Sequence, residues 1–269
     1  IGNYTARQTY TSQNFLGMQG LVRSGVPNPS IQWETSTKGN FGIDVAFWND
    51  RVAMSVDLYT SKTTDMLVYE KVLSGSGFEN VLTNGGAMRN SGIEAMVNIR
   101  AINQSALKWD LGFNFATNQN KILTVPNGQF LTNTHGATII TQTGAAANVF
   151  YGYKTNGVFK TTNDALVSGL RTKNADGTFS NFQGGDVRFV DLNGDRIIDE
   201  KDMQQLGFSA PRFHGSFSSK LSLKRFTLDA LFTFSQGNEV FNQLRYFLES
   251  ASSTDNQLNS VVNRWRTEG

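Results

Sequence analysis

The residues best spaced to do chemistry are Asp191, Asn193, Asp195 and Asp202. In the run Asp191-Leu-Asn-Gly-Asp-Arg-Ile-Ile-Asp-Glu-Lys-Asp202 they fall at positions 1, 3, 5 and 12 of an EF-hand-like loop, with Ile198 at the apolar position 8. Alternating oxygen side chains on a tight loop wrap a hard cation, and Ile197 would add its backbone carbonyl, so the expected ligand is Ca2+. Two positions depart from the pattern. Arg196 stands where a glycine relieves the sharp turn, and Asp202 replaces the longer bidentate Glu. With no mate loop, the expected affinity is modest. The competing reading is an Asx-rich turn whose oxygens accept its own backbone amides.

A second constellation is aromatic. Phe150, Tyr151, Tyr153 and Phe159 cluster within ten residues of sequence. Such faces stack on sugars or grip peptides, and equally they pack against one another. No catalytic set emerges. His135 and His214 are the two histidines, far apart, and no nucleophile motif surrounds either. The carboxylates Asp44, Asp57 and Asp229 could pair as acid and base, but their alternation with apolar neighbours suits a solvated or salt-bridged face. Gly75-Ser-Gly77 lacks the third glycine and the flanking strand and helix of a phosphate loop. The reading is therefore not an enzyme.

The elements that must position these residues are strands. In 38–61, Phe41, Ile43, Val45 and Phe47, then Val52, Met54, Val56 and Leu58, alternate with polar or small residues about a turn at Asn49-Asp50. Side chains on a strand switch faces at every residue, so each arm has one apolar and one polar face. The unit returns at 91–119, with Ile93 to Ile99 and Leu107 to Phe115, and at 212–236, with Phe213 to Leu223 and Phe226 to Phe234. Each apolar stretch is close to the roughly 9–11 residues that cross a bilayer as a tilted strand. The short turns at 49–50, 103–105 and 224–225 fall on one side, because consecutive antiparallel connections lie at opposite ends. The segments 62–90, 120–211 and 237–269, read as long loops without period, fall on the other, as does 1–36. Short turns on one rim and long loops on the other are the rule for outer-membrane barrels. Trp33, at the approach to the first strand, suits an interface girdle or a place under its own loop.

Bulk properties agree. The 269 residues carry a net charge of +2, too small to argue for nucleic acid, and no cysteine, which excludes disulfides and thiolate metal sites. Mean hydropathy is −0.32 and no run is long and apolar enough for a transmembrane helix, which leaves a transmembrane barrel open. The expected fold is all-β, an antiparallel transmembrane β-barrel of which this chain supplies about six strands, too few to close a lumen. The polar ends, Ile1 onward and Asn263 to Gly269, suggest an internal piece of a longer protein.

At several blocks the chain resembles the SusC/RagA family of TonB-dependent outer-membrane transporters. The blocks are Asn28-Pro-Ser-Ile-Gln-Trp-Glu34, Met88-Arg-Asn-Ser-Gly-Ile-Glu94, Tyr151-Gly-Tyr-Lys-Thr-Asn-Gly-Val-Phe159, Gly185-Asp-Val-Arg-Phe-Val-Asp-Leu-Asn-Gly-Asp195 and Gly237-Asn-Glu-Val-Phe-Asn242, in family order. Arg196 departs from the glycine usual there. The resemblance implies a barrel of about 22 strands with a plugged lumen, with plug domain and C-terminal strands outside this chain. It further implies a SusD-like surface lipoprotein lid, energy from TonB–ExbB–ExbD, oligosaccharide or peptide cargo, and contact with outer-membrane lipid in a Gram-negative, Bacteroidota-type bacterium. The rivals are an outer-membrane adhesin or structural barrel that does not transport, and a soluble β-rich glycan-binding module.

Overall fold

Alternating apolar residues build the largest element, one antiparallel sheet. The computed structural model describes residues 6–252 and 254–268; residues 1–5, 253 and 269, which belong to the expected loops 1–36 and 237–269, lie outside the described residues. A hairpin of β1 (Tyr10–Phe15) and β2 (Met18–Arg23) comes first. Then β3 (Thr35–Phe47), β4 (Val52–Lys71), β5 (Asn80–Asn103) and β6 (Leu107–Thr124) follow as a meander. Next are β7 (Gln129–Thr134), β8 (Ala137–Gln142), β9 (Val149–Tyr153), β10 (Thr155–Val158), helix α1 (Thr162–Ser168), β11 (Arg171–Lys173), β12 (Phe179–Asn181), β13 (Val187–Phe189), β14 (Ile197–Ile198) and β15 (Met203–Phe208). The chain returns to the large sheet with β16 (Phe213–Leu223) and β17 (Phe226–Gln236), then forms helix α2 (Gln243–Glu249). The six-stranded sheet has the order β17–β16–β6–β5–β4–β3 and is open, with β3 and β17 at its edges.

Its register fixes two faces. Ile43, Val56, Ala95 and Phe115 lie side by side on one, as do Val45, Met54, Val97, Phe113, Phe217 and Phe232. The other face carries rows such as Arg100, Asp110, Lys220 and Asp229, where charge alternates from strand to strand. Met96 and Leu231 are apolar exceptions on the polar face. The apolar face stays open: Phe41 is 61% exposed and Phe232 63%. A contiguous apolar surface of this extent does not face water in a soluble monomer; it is the lipid-facing side of a transmembrane barrel wall. Ring contacts reinforce it, with Phe113 tilted against Phe217 at 4.9 Å between centroids and Phe217 stacked on Phe232 at 6.2 Å.

Glycines let these strands close up. A Cβ on Gly215 would stand 2.3 Å from the Asn114 carbonyl and 2.6 Å from the Phe234 ring. Gly215→Ala is expected to lower stability by about 1–3 kcal/mol, read as the urea midpoint in detergent. Gly39→Ala meets Thr60 Cγ2 at 3.7 Å and should stay within about 0.5 kcal/mol.

The structure differs from the sequence reading at 62–90. β4 and β5 run 20 and 24 residues and continue to a short connection at 72–79. Bulges between Thr63 and Leu67 slip the register, and Asp65 sits at φ 56°, so the period of two is broken there. The block Asn28–Glu34 holds this bulge. Asn28 Nδ2 donates to the Leu82 carbonyl at 2.9 Å, Gln32 N donates to Asn84 Oδ1 at 2.9 Å, and Glu34 Oε1 accepts from Leu67 N at 2.9 Å. Trp33 is 74% exposed and not packed under its loop. At 10–23, read as loop, β1 and β2 pair about Leu16-Gly17, both at positive φ; all twelve of their strand residues are exposed, which leaves no alternation to read.

The chain divides into two compact units. The six-stranded sheet belongs to the first, up to Phe130 with Thr141–Ala147 and Ala210–Asn238. The second comprises Leu131–Ile140, Asn148–Ser209 and the residues from Glu239. It therefore holds the short elements that the sequence reading placed in one loop. Its core is Phe159, Ala165, Leu170, Phe182 and Ile198, with Tyr153 and Phe189 against them. Helix α1 is set by Thr161, whose hydroxyl accepts from Asp164 N, and by Gly169 in the left-handed region.

Candidate functional site

The Asp191–Asp202 loop lies in the second unit between β13 and β15. Its oxygens are turned onto its own backbone. Asp191 Oδ1 and Oδ2 accept from Gly194 N and Arg196 N at 2.8 and 2.9 Å. Asn193 Oδ1 accepts from Asp195 N at 3.0 Å, and Asp195 Oδ1 from Ile197 N at 2.7 Å. Asp202 is fully buried; its Oδ1 accepts from Leu192 N and its Oδ2 from Asp199 N, both at 2.9 Å. Asp199 Oδ1 accepts from Lys201 N at 2.9 Å, and Asp199 and Asp202 make the capping box of a short 3-10 turn. The bonds of Asn193, Asp195 and Asp199, each to the amide two residues on, are Asx-turn bonds. Arg196, at φ 64°, takes the left-handed conformation that a glycine would supply more cheaply. Among the described residues, no three His, Asp or Glu side chains gather as a metal-holding group.

β15 leaves this loop and pairs with β9, placing Met203 opposite Tyr153. Burial first, then the nearby carboxylates of Glu200, Asp199 and Asp202, push the Tyr153 phenol above its ordinary value. The aromatic cluster divides. Tyr153 stacks edge-on against Phe189 at 5.5 Å and Phe159 packs on Phe182 at 6.0 Å, both committed to the core. Phe150 and Tyr151 line a concavity of about 330 Å³ with Gly136, Ala137, Thr138, Leu206, Glu239, Val240 and Phe241. His135 is the turn residue just before this wall, at φ 52°.

The first unit has a concavity of its own. It measures about 530 Å³ and lies on the polar face among Ser55, Asp57, Glu94, Asn114, His214, Ser216 and Thr233. Asp57 and Glu94 stand directly opposite in register. Like charges so placed repel, and Asp57 leans over Gly42, where a Cβ would meet its Oδ1 at 2.6 Å. Asp44 lies one row away, opposite Ser55, and Asp229 lies opposite Lys220 near the short turns. His214 is opposite Ala116 on β6, a strand removed from Glu94. The arrangement is a wet, mixed-charge wall rather than an acid–base pair.

Glu239 and Phe241, which line the second unit's concavity, were not singled out by sequence reasoning, although they stand in the block Gly237–Asn242 that carries the resemblance. That block also supplies Asn242, whose side chain caps α2 by accepting from Arg245 N.

Comparison with known proteins follows the same lines. The family described as "TonB dependent receptor-like, beta-barrel" matches residues 3–196. TonB-dependent receptor P3 of Formosa agariphila is 32% identical over 255 residues, which cover 92% of this chain and 25% of that protein. TonB-dependent receptor SusC of Bacteroides thetaiotaomicron is 34% identical over 102 residues, 38% of this chain and 10% of that one. Among solved structures, a chain of the RagAB peptide transporter superposes with a TM-score of 0.75 at 25% identity, covering 99% of this chain and 28% of that chain. The chain thus spans about a quarter of the length of the Formosa relatives, at 25%, 27% and 26%. With its apolar and polar sheet faces and its matched residues, the chain belongs to the TonB-dependent receptor β-barrel family.

Proposed function

We propose that this chain forms part of the barrel wall and outer face of an outer-membrane importer of oligomeric nutrients. The observation that carries the reading is the six-stranded sheet itself, apolar on one side and polar and grooved on the other. Open strand edges cannot lie in hydrocarbon, where each unpaired backbone group costs several kcal/mol. Further strands of the same polypeptide pair with β3 and β17 in this reading and close a plugged barrel. The similarity to SusC and to the RagAB peptide transporter supports import, coupled through TonB–ExbB–ExbD and assisted by a SusD-like lipoprotein over the outer face. The cargo is an oligosaccharide or a peptide. The residues serve passage and recognition, not catalysis.

The test is purification of the native protein from outer membranes in mild detergent, with mass spectrometry of what stays bound. A full-length chain carrying a plug, with a stoichiometric lipoprotein, is the expected result. A lone barrel without plug or lid would favour the adhesin or structural reading.

Calcium at Asp191, Asn193, Asp195, the Ile197 carbonyl and Asp202 is tested separately. Because the loop's side-chain oxygens already satisfy its amides, the loop is expected to hold its shape without a cation. Melting midpoints in 1 mM calcium and in EGTA should then agree within about 1 °C, whereas a binding cation at 100-fold over its Kd adds about 2.7 kcal/mol. A clear upward shift with calcium would assign the ion to the loop.

A further inference from the structure

We propose that the concavity beside β9 and β15 is a subsite for a protonated amine on an apolar stem, such as a lysine side chain of a peptide cargo. This rests on the importer reading above and selects peptide over neutral glycan within it. At about 330 Å³ the space takes one side chain or two, not an oligomer. Its walls are Phe150, Tyr151, Leu206, Val240 and Phe241, and Glu239 is its one charged group. That carboxylate has no hydrogen-bond or ion-pair partner among the described residues, while its backbone N–H is fixed to the Phe208 carbonyl at 2.6 Å.

The site is held in shape by two glycines. A Cβ on Gly207 would stand 2.2 Å from Glu239 Cγ, so the bare Cα lets the glutamate stem lie against β15. Gly136, at φ 93°, leaves room for the Tyr246 ring, which a Cβ would meet at 2.7 Å; Tyr246 in turn packs on Phe241 with centroids 5.7 Å apart. Rings beside a single carboxylate attract an ammonium group by charge and by the ring quadrupole, and the apolar walls take its methylene stem. A neutral sugar would need many fixed donors and acceptors, and these walls offer the hydroxyls of Thr138 and Tyr151 and one acid. An acidic cargo would meet like charge.

The experiment uses the full-length transporter with its lipoprotein in detergent. Calorimetric binding is measured for the peptide Gly-Leu-Lys-Gly, its norleucine analogue and maltohexaose. The lysine peptide is expected to bind about tenfold tighter than the norleucine peptide. Glu239→Gln should erase that preference, so that the lysine peptide binds no tighter than the norleucine peptide. Phe241→Ala should weaken both peptides. Equal binding of the two peptides by the wild type, or a preference that survives Glu239→Gln, would overturn the subsite. Maltohexaose binding indifferent to Glu239, with no peptide binding, would also overturn it and leave the importer standing as a glycan transporter. A folded barrel that neither imports nor binds any of the three, and has no lipoprotein partner, would remove the importer reading and the subsite together.

Discussion

Asp202→Ala is expected to loosen the 186–208 region of the second unit, at a cost of about 3–5 kcal/mol. Asp202 is fully buried, and each of its carboxyl oxygens accepts one backbone amide, from Leu192 and from Asp199. Alanine removes both of these hydrogen bonds to a carboxylate, at about 1.5–3 kcal/mol each, and the bond from Asp199 N is also the one that closes the capping box. The unit has few buried side chains to offset this, since its core cluster is five residues. Asp202→Asn keeps one acceptor and turns an NH2 toward the other amide, so it should cost about 1–3 kcal/mol. Asp199→Ala removes the cap alone and should cost about 1 kcal/mol. Hydrogen exchange of the full-length protein, read by mass spectrometry over 186–208, orders the three. If Asp202→Ala exchanged no faster than Asp199→Ala, the buried carboxyl would not be what holds this loop.

The barrel wall was legible because its signal repeats without interruption. From Phe41 to Leu58, Ile93 to Phe115 and Phe213 to Phe234, one face is apolar at nearly every second residue. A slip of one residue would put that whole set on the wrong side. The signal failed wherever the alternation broke. At Asp65 and Met66 a bulge moves the register, and the upper halves of β4 and β5 vanish into an apparent loop. Between Leu131 and Phe208 the strands run two to six residues, too short to show a period, and their order depends on pairings such as β15 with β9 that close fifty residues apart. The site was half legible. The spacing of Asp191, Asn193, Asp195 and Asp202 marked a tight oxygen-lined turn, but spacing does not tell whether those oxygens face an ion or an amide. Phe150 and Tyr151 stood out as part of an aromatic cluster, whereas Glu239, which lines the same concavity, did not, because a carboxylate some ninety residues away carries no local mark of the wall it joins.

Phe113→Arg is expected to cost about 2–4 kcal/mol of folding stability in a bilayer, the range for an arginine on the lipid face near the midplane. Phe113 lies between Val97 and Phe217 on the apolar face, with its ring on Phe217 at 4.9 Å. Six residues separate it from Leu107 at the short-turn end of β6. At about 3.4 Å per residue and a tilt near 45° that is about 14 Å along the membrane normal, roughly half the hydrocarbon depth. An arginine there has no water within reach and must snorkel past phenylalanines. Asn114 is the next residue on the same strand but lies on the opposite face, in the polar groove, where its Nδ2 donates to Ser216 Oγ at 3.0 Å. Asn114→Arg loses that bond, about 0.5–1.5 kcal/mol, and gains a position among Asp57 and Glu94, so its net cost should be near zero. Urea unfolding of the full-length protein in phospholipid vesicles, followed by tryptophan fluorescence, compares the two. The inequality follows from which way each side chain points, not from strand propensity or distance to any loop. Equal losses would mean that the sheet's two faces see the same solvent, and the membrane reading of this wall would fall.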